Sequence, residues 1–349
     1  MVTDVARRRP IRVGVPRALL YHEYAALWTA FLAGLGLEVV VSDPTSKSIV
    51  DAGVKEAVDE ACLPVKVFYG HVIDLRRKGV DYIFLPRVVA VERRAYSCPK
   101  LLGLPDMIRH TVKPLPPLID ETVNVARKPR QIYGALWRAT APFTRNPWTL
   151  ARAWRRALRA HRDYRERLLA GWIPGGGKAG DRGGTESPGV HDGDPSDRLT
   201  IGVLGHPYNV YDRHISLDLL GRLERWGVRV VTADSVPTEV ARAETDRLPK
   251  DLFWSTGRKI LGSGLHYLNS RSVDGLIHLV SFGCGPDSLV GELVQRKAAR
   301  LGTVPFLLLT LDEHSGEAGL VTRIEAFMDM VRQQRRAGGG PVGEGGNVG

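Results

Sequence analysis

Cysteine is scarce in this chain: three occur in 349 residues, at Cys62, Cys98 and Cys284. An odd number at that density excludes a secreted disulfide scaffold and leaves reduced thiols or metal ligands. No run of 18 or more apolar residues exists, so no transmembrane helix is expected. The stretch "MVTDVARRRPIRVGV" has basic residues but no apolar signal region, and the expected location is the cytoplasm. No CxxC pair occurs, which disfavours structural zinc. "GGGKAG" imitates a phosphate-binding loop, but Lys178 is followed by Ala179 where that loop needs Ser or Thr.

A net charge of +11 suggests nucleic acid until it is located. Residues 127–170 hold twelve Lys/Arg and two acids, Asp163 and Glu166, so nearly all the excess belongs to one segment. No aromatic–basic RNA motif or zinc finger accompanies it, and nucleic-acid binding is not expected.

Strands and helices alternate along the rest. "IRVGV", "LEVVV" and "VDYIFLP" read as strands in the first part, with helices through "YHEYAALWTAFLAGLG", "IVDAGVKEAVDEA" and "VKVFYGHVIDLRRKG". "TIGVLG", "VRVVTAD", "VDGLIHLVSF" and "VPFLLLTLD" repeat the pattern after residue 199. Helices there cover 215–227, 253–270, with a weak point at Gly262/Gly264, 287–302 and 319–336. The fold class is therefore α/β: two Rossmann-like domains with parallel sheets, plus a basic helical segment and a flexible linker. The expected boundaries are 11–130 for the first domain, 131–172 for the helical segment, 173–198 for the linker, 199–336 for the second domain and 337–349 for a disordered tail. Within the helical segment, Asn146 caps a helix starting at Pro147, with an apolar stripe of Leu150, Trp154, Leu158, His161, Tyr164 and Leu168.

Each cysteine sits in a Gly- or Pro-marked connection, and none lies in a periodic apolar stripe. Cys284 follows the strand 273–282, Cys98 lies beyond the strand 80–86, and Cys62 stands beside Pro64 between two helices. Buried filler accounts for any one of them. A nucleophile at a helix N-terminus accounts for Cys284 alone. A shared metal site accounts for all three, as zinc or as an iron–sulfur cluster with one open iron. Gly283 and Gly285 would let backbone amides approach such a group. Lys66 and Lys100 follow Cys62 and Cys98 closely and would offset thiolate charge. His206, Tyr208 and Asn209, in "GHPYNVYD", lie beyond the first strand of the second domain, where a ligand would sit. Glu313 and His314, in "LDEHSGEAG", are acid/base candidates in a loop after a strand. Asp287 and Ser288 read as helix caps.

The stretches "GVPRALLYHEY", "DEACLPVKVFYGHV", "DYIFLPRVV", "YSCPKLLGLPDMIR", "GHPYNVYD", "SFGCGPDS" and "LDEHSGEAGLVTRIEAF" together resemble the acyl-CoA dehydratase activase-related proteins. Those are similar to the 2-hydroxyacyl-CoA dehydratase D-component and to double-cubane cluster proteins. The resemblance covers about 11–112 and 199–332. It implies an iron–sulfur cluster, 4Fe-4S or double-cubane in type, held by Cys62, Cys98 and Cys284 between two Rossmann-like domains. It also implies a low-potential electron from an ATP-dependent activase, which would be a separate protein. The expected function is redox chemistry on a thioester or other small substrate at the open iron. The alternatives are a non-catalytic cluster-carrying accessory subunit, docked to dehydratase or activase subunits in an oligomer, and a zinc- or thiol-dependent α/β enzyme.

Overall fold

The computed structural model describes residues 9–93, 95–126, 128, 130–174 and 198–337. The expected linker and tail, but for a few residues at their edges, lie outside the described residues. In chain order the first half contains β1 (Arg12–Val15), α1 (Tyr21–Gly34), β2 (Glu38–Val41), α2 (Lys47–Glu56), α3 (Leu63–Arg77), β3 (Tyr82–Phe84), β4 (Arg87–Ala90), α4 (Pro99–Thr111), β5 (Leu118–Ile119) and β6 (Thr122–Asn124). Next come α5 (Gln131–Ala139) and α6 (Pro147–Leu169). The second half contains β7 (Thr200–Leu204), α7 (Pro207–Val210), α8 (Leu219–Arg225), β8 (Arg229–Thr232), α9 (Thr238–Thr245), α10 (Ser255–Ser270), β9 (Gly275–Ser281), α11 (Gly285–Leu301), β10 (Phe306–Leu311) and α12 (Glu317–Arg336).

Two four-stranded sheets result, ordered β2-β1-β3-β5 and β8-β7-β9-β10, with every pairing parallel. Both orders are 2-1-3-4 when strands are counted within each sheet, so the alternating pattern seen in the sequence folds twice into one topology. In such a sheet the winding reverses between the first and third strands, and loops beyond their carboxyl ends open a crevice. A parallel pair of β4 and β6 adds a small side sheet.

Neighbouring strand residues point to opposite faces, and both faces are buried. Ile83 packs with Val72 and Leu75 of α3, whereas Phe84 joins Val13, Val15 and Phe31 of α1 on the other face. In the second half Ile277 packs with Leu223 of α8 and Phe327 of α12, and Leu276 packs with Leu265 of α10 and Val294 of α11. These strands therefore read as apolar runs, broken inside β9 only by His278.

Four sequence expectations change. The helix expected over 215–227 begins only at Leu219, because Leu217 and Asp218 take left-handed φ of 50° and 56°. The helix expected through "IVDAGVKEAVDEA" stops at Glu56, five residues before that stretch ends. The Gly262/Gly264 stretch is no weak point: α10 runs through it, and a Cβ on Gly262 would lie 2.1 Å from the Ala241 carbonyl of α9. That glycine lets two helices touch. The segment 87–146 holds elements that short, weakly periodic runs conceal.

The basic helix α6 starts as its sequence predicts, with the Asn146 side chain accepting from the N–H groups of Trp148 and Thr149. Its buried stripe differs from the expected one: Leu158 is exposed, while Ala153 and Ala157 are buried, and an added Cβ at Gly34 of α1 would sit 3.0 Å from Ala153. The helix joins the halves. Tyr164 donates to the His22 carbonyl at 2.8 Å, Leu168 enters the second core, and Arg165 pairs with Asp234 at 2.9 Å. Among the described residues no helix is long and apolar enough to cross a membrane.

Candidate metal centre

Each cysteine occupies the same local position. Cys62 is the N-cap of α3, Cys98 of α4 and Cys284 of α11, and each helix carries proline in its first two positions. Proline at that place costs no hydrogen bond and fixes the helical φ, which explains the "CLP", "CP" and "CGP" spellings. No Ser, Thr or Asp caps any of the three helices, so the positive ends of three helix dipoles carry thiols instead. His206 is likewise the N-cap of α7, followed by Pro207.

These ends converge. The Cys62 and Cys98 thiols both act on the Cys284 thiol, and all three act on the phenol of Tyr208. Burial, followed by Cys284, Asp287, Cys62 and Cys98, pushes that phenol well above its ordinary range. Tyr208 thus lies within electrostatic reach of all three thiols. Its ring stacks on His206, with centroids 4.8 Å apart and planes 7° from parallel. Gly283, at φ +75°, turns the chain after β9 so that an added Cβ would lie 3.9 Å from the Cys62 Cα. At Gly285 an added Cβ would meet nothing within 4 Å.

Burial pushes the Cys284 thiol up strongly, and Asp287 adds to it. Burial also raises Cys62, opposed first by the Lys100 ammonium. Lys100 ties two cysteine loops together by donating to the carbonyls of Glu60 at 3.1 Å and Gly283 at 3.3 Å. The buried thiols are therefore neutral near pH 7 unless a cation displaces their protons, and metal entry would release protons.

A second set of groups stands beside Cys284. His206, Cys284 and Asp287 bring their ligand atoms within 4.8 Å of one another, all buried, and this group could hold a metal ion. Cys62 and Cys98 lie outside that tight group. Asp287 is fully buried, with one oxygen 3.4 Å from His278 Nε2 and 3.7 Å from His206 Nε2. Neither nitrogen of either ring, and neither Asp287 oxygen, has a hydrogen-bond partner of good geometry. Buried polar atoms in such numbers call for an ion or a bound group. Burial lowers the His206 pKa, against the pull of Asp287, so the ring is neutral and its lone pair is free to ligate.

The remaining sequence candidates fall around this centre at different depths. Lys66, buried in the first turn of α3, pairs with Glu313 at 2.5 Å and joins the first half to the loop after β10. Burial would raise the Glu313 carboxyl, but Lys66 holds it below the usual carboxylate range. His314 is exposed, its N–H donating to Asp312 in a local turn. Neither Asp287 nor Ser288 caps α11 as expected: Cys284 holds the N-cap position, Ser288 donates back to its carbonyl at 2.9 Å, and Asp287 faces two histidines instead. His278 was hidden by its place inside the apolar strand β9, whereas Tyr208 stands beside His206 in the "GHPYNVYD" turn that the sequence marks. One signal was available: a polar residue in an otherwise continuous buried run, as in "LIHLV", demands a partner.

No curated protein matches the chain. Residues 12–236 match the family described as the CoA enzyme activase uncharacterised domain (DUF2229). The match includes Cys62, Cys98 and His206, and it runs through the basic helix that motif reading had left outside; Cys284 lies beyond it. Because the matched stretch is more than half of the chain, the chain belongs to this family of domains associated with CoA enzyme activases.

Proposed function

We propose that the chain is an iron–sulfur redox protein related to the 2-hydroxyacyl-CoA dehydratases, with Cys62, Cys98 and Cys284 as cluster ligands. One observation carries the reading: three cysteines far apart in sequence stand at three uncapped helix N-termini around Tyr208. Soft thiolates suit iron–sulfur clusters, and three leave one iron for another ligand. Bound there, the cluster would supply one-electron transfer and a Lewis-acidic iron. The chain's own residues set its surroundings. The dipoles of α3, α4 and α11 and the Lys100 ammonium offset thiolate charge. Tyr208 and His206 wall the centre, and Lys66 with Glu313 clamps the halves across it.

The electron would come from a separate ATP-dependent activase, in line with the family. Mixing the cluster-loaded protein anaerobically with such an activase, reductant and ATP tests this. Bleaching of its visible absorption should require both ATP and the activase. Bleaching by reductant alone, or none at all, contradicts the reading.

The tight His206–Cys284–Asp287 group favours a second reading, a single zinc ion in an α/β enzyme. Removing Cys62 and Cys98 would then leave the metal content unchanged.

A further inference from the structure

Two cavities lie side by side, the first between the halves and the second within the first half, under α5 and α6. The first, about 310 Å³, has Cys98 and His206 in its wall together with four cations: Arg165, Arg242, Arg258 and Lys259. Three carboxylates answer them. Glu23 and Glu92 line the cavity, and Asp234 behind holds both Lys259 and Arg165. The walls thus keep a positive excess of one even with every acid ionised. Burial raises the Glu23 carboxyl, which adds to that excess. The first turn of the 16-residue helix α10 opens here without a side-chain cap. His206, only 7% exposed, lines the same space with both ring nitrogens unpartnered.

The second cavity, about 440 Å³, is apolar, with Leu27, Trp28, Phe31, Ile132, Leu136 and Ala139 in its wall. That is about three times the volume of an apolar cavity that admits benzene. Tyr24, Val88, Val91 and Glu92 line both cavities. A charged chamber opening beside an apolar one fits a ligand with a polar head and an apolar tail. An excess of one positive charge suits a monoanion better than a doubly charged phosphate.

We propose that the paired cavities bind an amphiphilic monocarboxylate, its head among Arg165, Arg242 and Lys259 and its medium-length tail between α1 and α5. The proposal stands independently of the metal reading, since such binding needs no metal.

The test uses the full metal-free chain, with calorimetry and the fluorescence of Trp254, which lines the first cavity. The probes are hexanoate, decanoate, 1-decanol and decanoyl-CoA. Decanoate should bind at least about tenfold tighter than hexanoate, because four more methylenes leave water. It should also bind at least about tenfold tighter than 1-decanol, which lacks the charge. Arg242→Glu, at a half-exposed side chain, should weaken decanoate about tenfold and leave 1-decanol unchanged. Ala139→Phe, at a partly exposed position, should weaken decanoate and spare hexanoate. Circular dichroism confirms that each variant folds. The proposal is overturned by no saturable decanoate binding at millimolar concentration, by wild-type affinity in both folded variants, by equal affinity for 1-decanol, or by binding of decanoyl-CoA alone.

Discussion

Lys66 Nζ lies 2.5 Å from Glu313 Oε1, and this pair links α3, headed by Cys62, to the loop beyond the second sheet. The two side chains are 247 positions apart in sequence and 7% and 18% exposed. Removing one partner of a largely buried pair strands the other's charge. Lys66→Met should therefore lower stability by about 1–3 kcal/mol, with Glu313→Gln costing less because amide and ammonium still bond. Urea unfolding midpoints of the two variants measure the difference.

Acid should weaken the chain through His71. Its ring is fully buried, bonded to Ser42 at 2.8 Å and Thr45 at 3.0 Å, and Thr45 reaches across to Asp212. Burial, opposed by Asp212 and aided by His22, Arg17 and Lys78, lowers its pKa to about 4. Unfolded, the ring takes its proton near 6.5; folded, it takes it only near 4. Between those values the unfolded chain binds more protons, so stability rises with pH. The contribution is fully present above pH 6.5 and is lost as pH falls through 4, of the order of 3 kcal/mol in all. Unfolding midpoints at pH 7.5, 6 and 4.5 should fall in that order, and His71→Gln should flatten the slope.

Two glycines should respond oppositely to the same change. Gly262→Ala drives a Cβ into the Ala241 carbonyl and should cost about 1–3 kcal/mol or more. Gly285→Ala meets open space and should stay within about 0.5 kcal/mol. Melting curves of the two variants check this.

The cap of the basic helix gives a cleaner local measurement. Asn146→Ala removes acceptance from two first-turn amides and should cost about 1 kcal/mol. Loss of helix signal near the melting transition, compared with Asn146→Asp, reads it out.

These positions also show what a sequence makes legible. The β1, β2, β7, β9 and β10 strands announced themselves because they are short, mostly apolar runs bounded by turn residues. Asn146–Pro147 announced a helix start because cap chemistry is local. The three cysteines were legible as a set, since each is punctuated by proline. The role of Arg165 was not, because its partner Asp234 lies 69 positions away and only packing of α6 across both halves brings them together. Ala153 and Ala157 were missed in the α6 stripe because small residues look neutral on a helical wheel, yet they permit the close approach of α1. Asp287 read as a cap, and only the fold brings it against His278 of β9 and His206 at the start of α7.

The central claim is that Cys62, Cys98 and Cys284 hold one iron–sulfur cluster. The most direct measurement is iron, sulfide and zinc content of anaerobically purified protein, for the parent chain and for Cys62→Ala, Cys98→Ala and Cys284→Ala. The account predicts iron and sulfide in equal amounts in the parent, and loss of both in each variant. Zinc without sulfide, held equally well after Cys62→Ala and Cys98→Ala, would contradict it and assign the centre to His206, Cys284 and Asp287.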